Sequence, residues 1–362
     1  MSLIPQFSQG SRTLYAQHDY EVLFSVYEAI TTSTVELANE AVASLGREGL
    51  HNHLEFHQKL IKTTLRFPLE NLLLDNFAWI YRRLAHYGLD SSFFLYELHL
   101  WEEAYERFLP PVLCLQLKEL YMYNKEHLDY LVNAHTRIKQ AKYMHFSSED
   151  VAEINQAYAW LLRRDYALLK AYVLEKCTTL EEFLSFFYRI ISPVMERVGF
   201  EWEEGVISVA KEHMISEQVG DLSMEMFAHF DIHRLEKEND VVVLVATAPR
   251  ELHAIGAKTI TKLLEFYGFK AYYLGADLSM EEIAGAVAET APDVLVLSVT
   301  LEVHLVELQE LIRHLRSDAV GFRGSIALGG NALRHLGVAF EVEEKSKVCM
   351  NFEEVLAFVK KQ

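Results

Sequence analysis

The stretch "VVVLVATAPRELHAIGAK", residues 241–258, decides the reading of the chain. Its first seven residues form a continuous Val-rich apolar run, the pattern of a strand buried on both faces of a parallel sheet. A Pro follows, and His253 then stands just ahead of "AIGAKTITKLLEFYG", whose apolar residues recur at helical spacing. A hydrophobic core has no use for an imidazole at the carboxyl end of a buried strand, whereas a ligand or a metal does.

Downstream, the same alternation repeats. "KAYYLG", "DVLVLSV" and "GSIALGG" read as strands, and "SMEEIAGAVAET", "LVELQELIRHLRS" and "NFEEVLAFVKK" read as helices. Four or five strands alternating with helices predict a Rossmann-like doubly wound parallel sheet over residues 240–362. Ligands of such sheets bind outside the carboxyl ends of the strands. Three loops at that edge carry unusual residues: Glu251, His253 and Gly256 in the first, Ser298 and Thr300 in the second, Gly329 and Gly330 in the third. Glycines after a strand let the backbone approach a ligand closely. A carboxylate two residues from an imidazole can orient one ring nitrogen while the other ligates a metal.

Upstream, the pattern is helical throughout. Residues 1–145 predict an all-α bundle, from "EVLFSVYEAITTSTVELANEAVASL", read as one helix ended by Gly46, to "VLCLQLKELYMYNKEHLDYLVNAHTRIKQ". Residues 146–235 predict a cap of about four helices, opened by Ser147 or Ser148 as an N-terminal cap. The charged stretch "HRLEKEND", 233–240, reads as a solvated hinge between domains. The expected whole is a multidomain α and α/β chain.

Composition narrows the function. A formal net charge of -18 and no Lys/Arg-rich stripe argue against direct nucleic-acid binding. Three cysteines, far apart, form neither a disulfide framework nor a CxxC metal pair. No run approaches the roughly 18 apolar residues of a membrane span, and the opening residues lack the apolar core of a signal peptide. The expectation is a soluble cytoplasmic protein.

The three ordered motifs, "ELHAIG", "SVT" and "LGG", resemble the cobalamin-binding domain family, whose pattern is Asp-x-His-x-x-Gly, then Ser-x-Leu or Ser-x-Thr, then Gly-Gly. The resemblance implies His253 as the lower axial cobalt ligand. It also implies a cleft lined by Ser298, Thr300, Gly329 and Gly330 for the cofactor's displaced nucleotide tail. Glu251 stands where the family most often has Asp, which keeps the carboxylate and lengthens its arm.

A second segment, "GFEWEEGVISVAKEHMISEQ", carries Trp202 and, after nine residues, Glu212-His213. It resembles the cap of adenosylcobalamin-dependent photoreceptors of the light-responsive carotenoid-gene repressor type. That likeness implies that Trp202 shields the adenosyl group and that Glu212 and His213 contact it or its surroundings. Glu203 follows Trp202, where some of those photoreceptors have a His, which puts a bis-histidine photoproduct in doubt. Their DNA-binding domain is replaced here by the all-α bundle, so output through operator binding is not expected.

The expected function is a cobalamin-binding photoreceptor that signals by domain or oligomer rearrangement, through a homo-oligomer or a regulatory protein partner. It is not expected to be an enzyme. The alternative is a corrinoid protein that carries methyl groups between methyltransferases. A radical mutase would need a substrate barrel of about 250 residues, for which there is no room. The aromatic bundle is either structural core and oligomer interface or a second chromophore pocket for a bilin such as biliverdin, as in the photocobilins. In the second case His53, His57, His86 and His99 would contact the bilin and Cys114 would form a thioether link. His53 and His57, four apart, would also suit a metal, although exposed His pairs are commoner.

Overall fold

The computed structural model describes residues 7–67, 69, 72–126, 147–231, 240–336, 340 and 343–362. The chain divides into two units, one of Met1–Lys142 with Glu203–Gly205 and one of Tyr143–Trp202 with Val206–Gln362.

Among its described residues the first unit holds the helices α1 Gln9–Thr31, α2 Glu36–Arg66, α3 Leu72–His86, α4 Ser91–Phe108 and α5 Pro111–Glu126, and no strand. The segment read as one helix ended by Gly46 is in fact broken between Thr31 and Glu36, because its Thr/Ser run offers the backbone other partners. The Thr31 and Thr32 hydroxyls donate to the carbonyls of Tyr27 and Glu28, both at 2.8 Å. The Ser33 hydroxyl then accepts the Val35 N–H at 3.1 Å. Such local bonds compete with helix propagation. Gly46 falls inside α2 and bends it, with φ +70°. The predicted last helix is described only as far as Glu126; the remainder of that reading, and residues 233–239 of the hinge, lie outside the described residues. Phe77, Phe93, Phe94, Trp101, Tyr105 and Tyr121 fill the core.

The second unit opens with helices α6 Ser148–Arg163 and α7 Tyr166–Lys176. A continuous rod follows, made of α8 Leu180–Phe186, a π-helical turn Phe187–Ile191 and α9 Ser192–Glu203, and then α10 Val209–Asp231. These are the four rods expected of the cap. The Ser147 hydroxyl caps α6 by accepting the Asp150 N–H at 3.0 Å. The π turn sits just ahead of Pro193. A proline has no N–H for the preceding turn and its ring crowds that turn's carbonyl, so the helix widens there.

The β/α alternation follows: β1 Val242–Thr247, α11 Ile255–Phe266, β2 Lys270–Gly275, α12 Met280–Thr290, β3 Val294–Ser298, α13 Leu305–Arg316, β4 Ser325–Gly329, α14 Asn331–Leu336, β5 Ser346–Val348 and α15 Phe352–Val359. The five strands are all parallel, in the order 2-1-3-4-5. Doubly wound sheets of this order reverse direction between β1 and β3, and their ligands bind at that point. Val243, Leu244, Val245 and Ala246 are buried, as the apolar run requires. One hydrophobic cluster runs from Ile154 of α6 through the sheet to Val359, and α10 packs against α11. The cap helices and the sheet thus share a core.

Candidate functional site

The register of the sheet sets Thr247, Ser298 and Gly329 abreast, at the carboxyl ends of β1, β3 and β4. The three motif loops therefore leave the sheet side by side, and the first two flank the reversal point. A Cβ built on Gly256 would stand 3.9 Å from the Ser298 hydroxyl, so the start of α11 faces the end of β3. Gly330 has φ +114°, and a Cβ there would lie 2.0 Å from the Val299 carbonyl oxygen. Only glycine fits that turn.

The first loop is held by its backbone. Ala248 donates to the Ser298 carbonyl at 2.8 Å, Arg250 to the Leu278 carbonyl at 2.9 Å, and Asp277 to the Glu251 carbonyl at 3.0 Å. The Thr247 hydroxyl also donates to the Glu251 carbonyl, at 2.9 Å. Arg250 and Asp277 take left-handed conformations, φ +61° and +57°, to make this pairing.

Glu251 is the centre of the constellation. Its side chain is only 1% exposed, and its Oε1 lies 2.5 Å from Nδ1 of His253 and accepts the His253 backbone N–H at 3.0 Å. Its Oε2 accepts the backbone N–H groups of Thr300 at 2.9 Å and Leu301 at 3.0 Å. Burial opposes the charge, but the hydrogen bond and charge of His253 and the N–H of Leu301 outweigh it, and the carboxyl is held down to about 2. Both lone-pair-bearing oxygens are thus engaged, which is the condition for burying a carboxylate.

His253 takes the complementary role. Burial would lower its pKa, but the hydrogen bond and charge of Glu251, followed by the charge of Glu212, raise it. With Nδ1 turned to Glu251, Nε2 has no hydrogen-bond partner among the described residues, and the side chain is 52% exposed. The neighbouring Leu252 is 70% exposed, an apolar side chain left on the rim. A buried carboxylate fixing Nδ1 and an outward Nε2 form the donor arrangement of a single-imidazole metal ligand. Among the described residues, no cluster of three or more His, Cys, Asp or Glu is arranged to hold a metal ion by itself. A group that brings its own equatorial ligands, as a corrin does, fits this donor set.

The cap residues reach the same place in part. Glu212 lies in the first turn of α10 and acts electrostatically on His253. Its carboxylate also pairs with Nδ1 of His213 at 2.8 Å and accepts the Ser216 hydroxyl at 2.6 Å. The His213 side chain is 72% exposed. Trp202 stands in the last turn of α9, partly buried, and Glu203 ends that helix. Sequence reasoning missed the N–H groups of Thr300 and Leu301 as partners of Glu251, and no side-chain type signals them.

In the first unit, His53 and His57 are not the exposed pair expected. Both are buried and turn to the Glu97 carboxylate, at 2.7 and 3.0 Å. His99 is exposed beside Glu102 and Glu103, His86 is exposed, and Cys114 is buried. Glu97 could have been found as the acidic residue inside the apolar run "FFLYELHLW".

Comparison with known proteins gives matches in both the cap and the sheet. Residues 241–338 match the family model "B12 binding domain", and residues 154–220 match a second model of the same description. The chain is 25% identical over 151 residues to the HTH-type transcriptional repressor CarH of Myxococcus xanthus, covering 42% of this chain and 48% of the relative. It thus spans about half the length of the curated relative it matches. Among solved structures, the monomethylamine corrinoid protein of Methanosarcina barkeri aligns at 16% identity with TM-score 0.46, over 59% of this chain and all of that one. The methanol:cobalamin methyltransferase complex MtaBC of the same organism aligns at 16% identity with TM-score 0.29, over 60% of this chain and 82% of that one. No helix among the described residues is long and apolar enough to cross a membrane. The chain carries B12-binding domains over residues 154–220 and 241–338.

Proposed function

We propose that the chain is a cobalamin-dependent light sensor, with adenosylcobalamin held between the cap helices and the carboxyl edge of the sheet. The observation that carries this reading is the packing of two motif-bearing helices: α10, whose first turn holds Glu212 and His213, lies against α11, which starts just after His253. When bound, adenosylcobalamin supplies a cobalt–carbon bond that light can break. His253 would ligate through Nε2, and Glu251 would keep Nδ1 protonated and the ring aimed outward. Ser298, Thr300, Gly329 and Gly330 would line the cleft for the nucleotide tail, with Gly256 leaving room at the start of α11. Trp202 would exclude water from the upper side, and Glu212 would offer acceptors to ribose hydroxyls.

The output would be a rearrangement of the helical units or of the oligomer. A bilin in the bundle would draw on His86, His99 and Cys114, because Glu97 engages His53 and His57. Protein loaded with adenosylcobalamin in the dark is expected to change its absorption and its hydrodynamic radius under green or blue light. An unchanged spectrum, together with methyl transfer from a partner methyltransferase, would replace the sensor by the methyl carrier.

A further inference from the structure

The bundle buries a polar network that stability alone does not explain. Glu97, His53, His57, Trp101, Tyr105 and Tyr121 are all buried, on helices α2, α4 and α5. Apolar residues of similar volume would hold such a core as well or better, since buried ionic groups cost desolvation that their pairing only partly returns.

With Glu97 ionised and His57 neutral, as the directions of their shifts require, the hydrogen bonds take one consistent assignment of protons. Glu97 is the acceptor throughout: Oε2 takes His53 Nε2–H at 2.7 Å, and Oε1 takes Trp101 Nε1–H at 3.1 Å and His57 Nδ1–H at 3.0 Å. Burial opposes its charge, but His53 and then His57 hold the carboxyl well below the usual range. With Nδ1 protonated, the neutral His57 has a lone pair on Nε2, and the Tyr121 hydroxyl donates to it at 2.6 Å. Tyr121 can then only accept from Tyr105, at 2.8 Å. Burial lowers the pKa of His57 and raises those of Tyr121 and Tyr105, so both phenols keep their protons. The rings are close as well: His57 stacks on Trp101 at 4.7 Å, Tyr121 is 5.6 Å from Tyr105, and Tyr105 is 6.0 Å from Trp101.

A phenol that loses an electron becomes a strong acid, and in a dry interior it keeps a stable radical only if a base hydrogen-bonded to it can take its proton. His57 is that base, and Glu97 stabilises the imidazolium that forms. We propose that Tyr121 is a redox-active tyrosine, a one-electron donor coupled to proton transfer onto His57. One electron leaves Tyr121 for a photo-oxidised or metal-centred one-electron acceptor. The phenolic O–H bond breaks, a new N–H bond forms at Nε2 of His57, and neutral Tyr121 radical and imidazolium remain. An electron returned from a thiol or ascorbate reverses both transfers.

The full chain, mixed with tris(bipyridyl)ruthenium(II) and persulfate, is flashed, frozen and examined by high-field electron paramagnetic resonance. The expected result is a persistent tyrosyl signal whose largest g value is lowered by a hydrogen bond, with a deuteron coupling after exchange into heavy water. Tyr121→Phe should lose that signal while its circular dichroism is unchanged, and Tyr105→Phe should retain it. The same persistent signal in Tyr121→Phe, or only short-lived exposed tyrosyl radicals in the unmodified chain, would overturn the proposal. Should Tyr121→Phe fail to fold, 3,5-difluorotyrosine at position 121 keeps the ring and must alter the hyperfine pattern; an unaltered pattern overturns the proposal equally.

Discussion

Glu251 and His253 are joined twice, side chain to side chain at 2.5 Å and side chain to backbone at 3.0 Å, by the same carboxylate oxygen. The second oxygen of Glu251 holds the loop after β3. One buried carboxylate therefore sets the direction of the imidazole and the separation of the two loops that flank the sheet's reversal point.

Glu251→Gln keeps the volume but replaces an acceptor by an amide N–H that meets either His253 or the two backbone donors. Leaving a buried donor unsatisfied costs about 1–3 kcal/mol. The variant should melt several degrees lower and retain less cobalamin on gel filtration. Glu251→Asp should keep the charge yet reach only one of the two loops, so its cofactor retention should lie between wild type and Gln.

His253→Ala removes the outward Nε2 and leaves the fold intact, since the side chain is 52% exposed. Its melting temperature without cofactor should stay within about a degree or two of wild type, as expected of exposed sites. The absorption of bound cobalamin should revert to that of the cofactor carrying its own base. An unchanged spectrum would remove His253 from the axial position.

Gly330→Ala should be among the most damaging single-methyl additions in the sheet unit. A Cβ at 2.0 Å from the Val299 carbonyl forces the third loop away from the second, on a backbone at φ +114°. The strained backbone alone costs roughly 1–3 kcal/mol. Thermal unfolding measures it, and Gly256→Ala, with its nearest atom at 3.9 Å, is the control expected to fold normally.

The bundle should be acid-labile. Glu97 has a depressed pKa, so its contribution is present above the unfolded carboxylate value near ~4.3 and is lost as pH falls through the folded value. His57 is also depressed, so the unfolded chain binds more protons than the folded one below about pH 6.5, and stability falls with acid there too. The two signs agree. Urea midpoints of the bundle signal should decline from pH 7 to pH 5, and His57→Phe should flatten that decline. Glu97→Ala, which strands two imidazoles and an indole N–H, should cost about 3–5 kcal/mol at neutral pH.

How much of this was legible beforehand depends on the range of the interaction. The Val-rich run at 241–247, the helical spacing after His253 and the capping serine at 147 are local patterns, and each appears where it was expected. β5, three residues with no sustained apolar run, was not legible, because only pairing with β4 makes Ser346–Val348 a strand. The break at Thr32 was missed because the apolar spacing continues across it while the hydroxyls take the backbone bonds.

By itself, then, the sequence determined that a β/α sheet follows a helical cap and bundle, and that His253, Ser298 and the Gly329–Gly330 pair leave the same sheet edge. Side-chain periodicity and strand polarity suffice for that, because both repeat along the chain. Only the tertiary structure decided that Glu251 spends its second oxygen on Thr300 and Leu301, and that His53 and His57 turn inward to Glu97 instead of facing solvent. Those partners lie 40 or more positions away, and a buried carboxylate is satisfied by whichever donors the packed fold brings within reach, which no local pattern encodes.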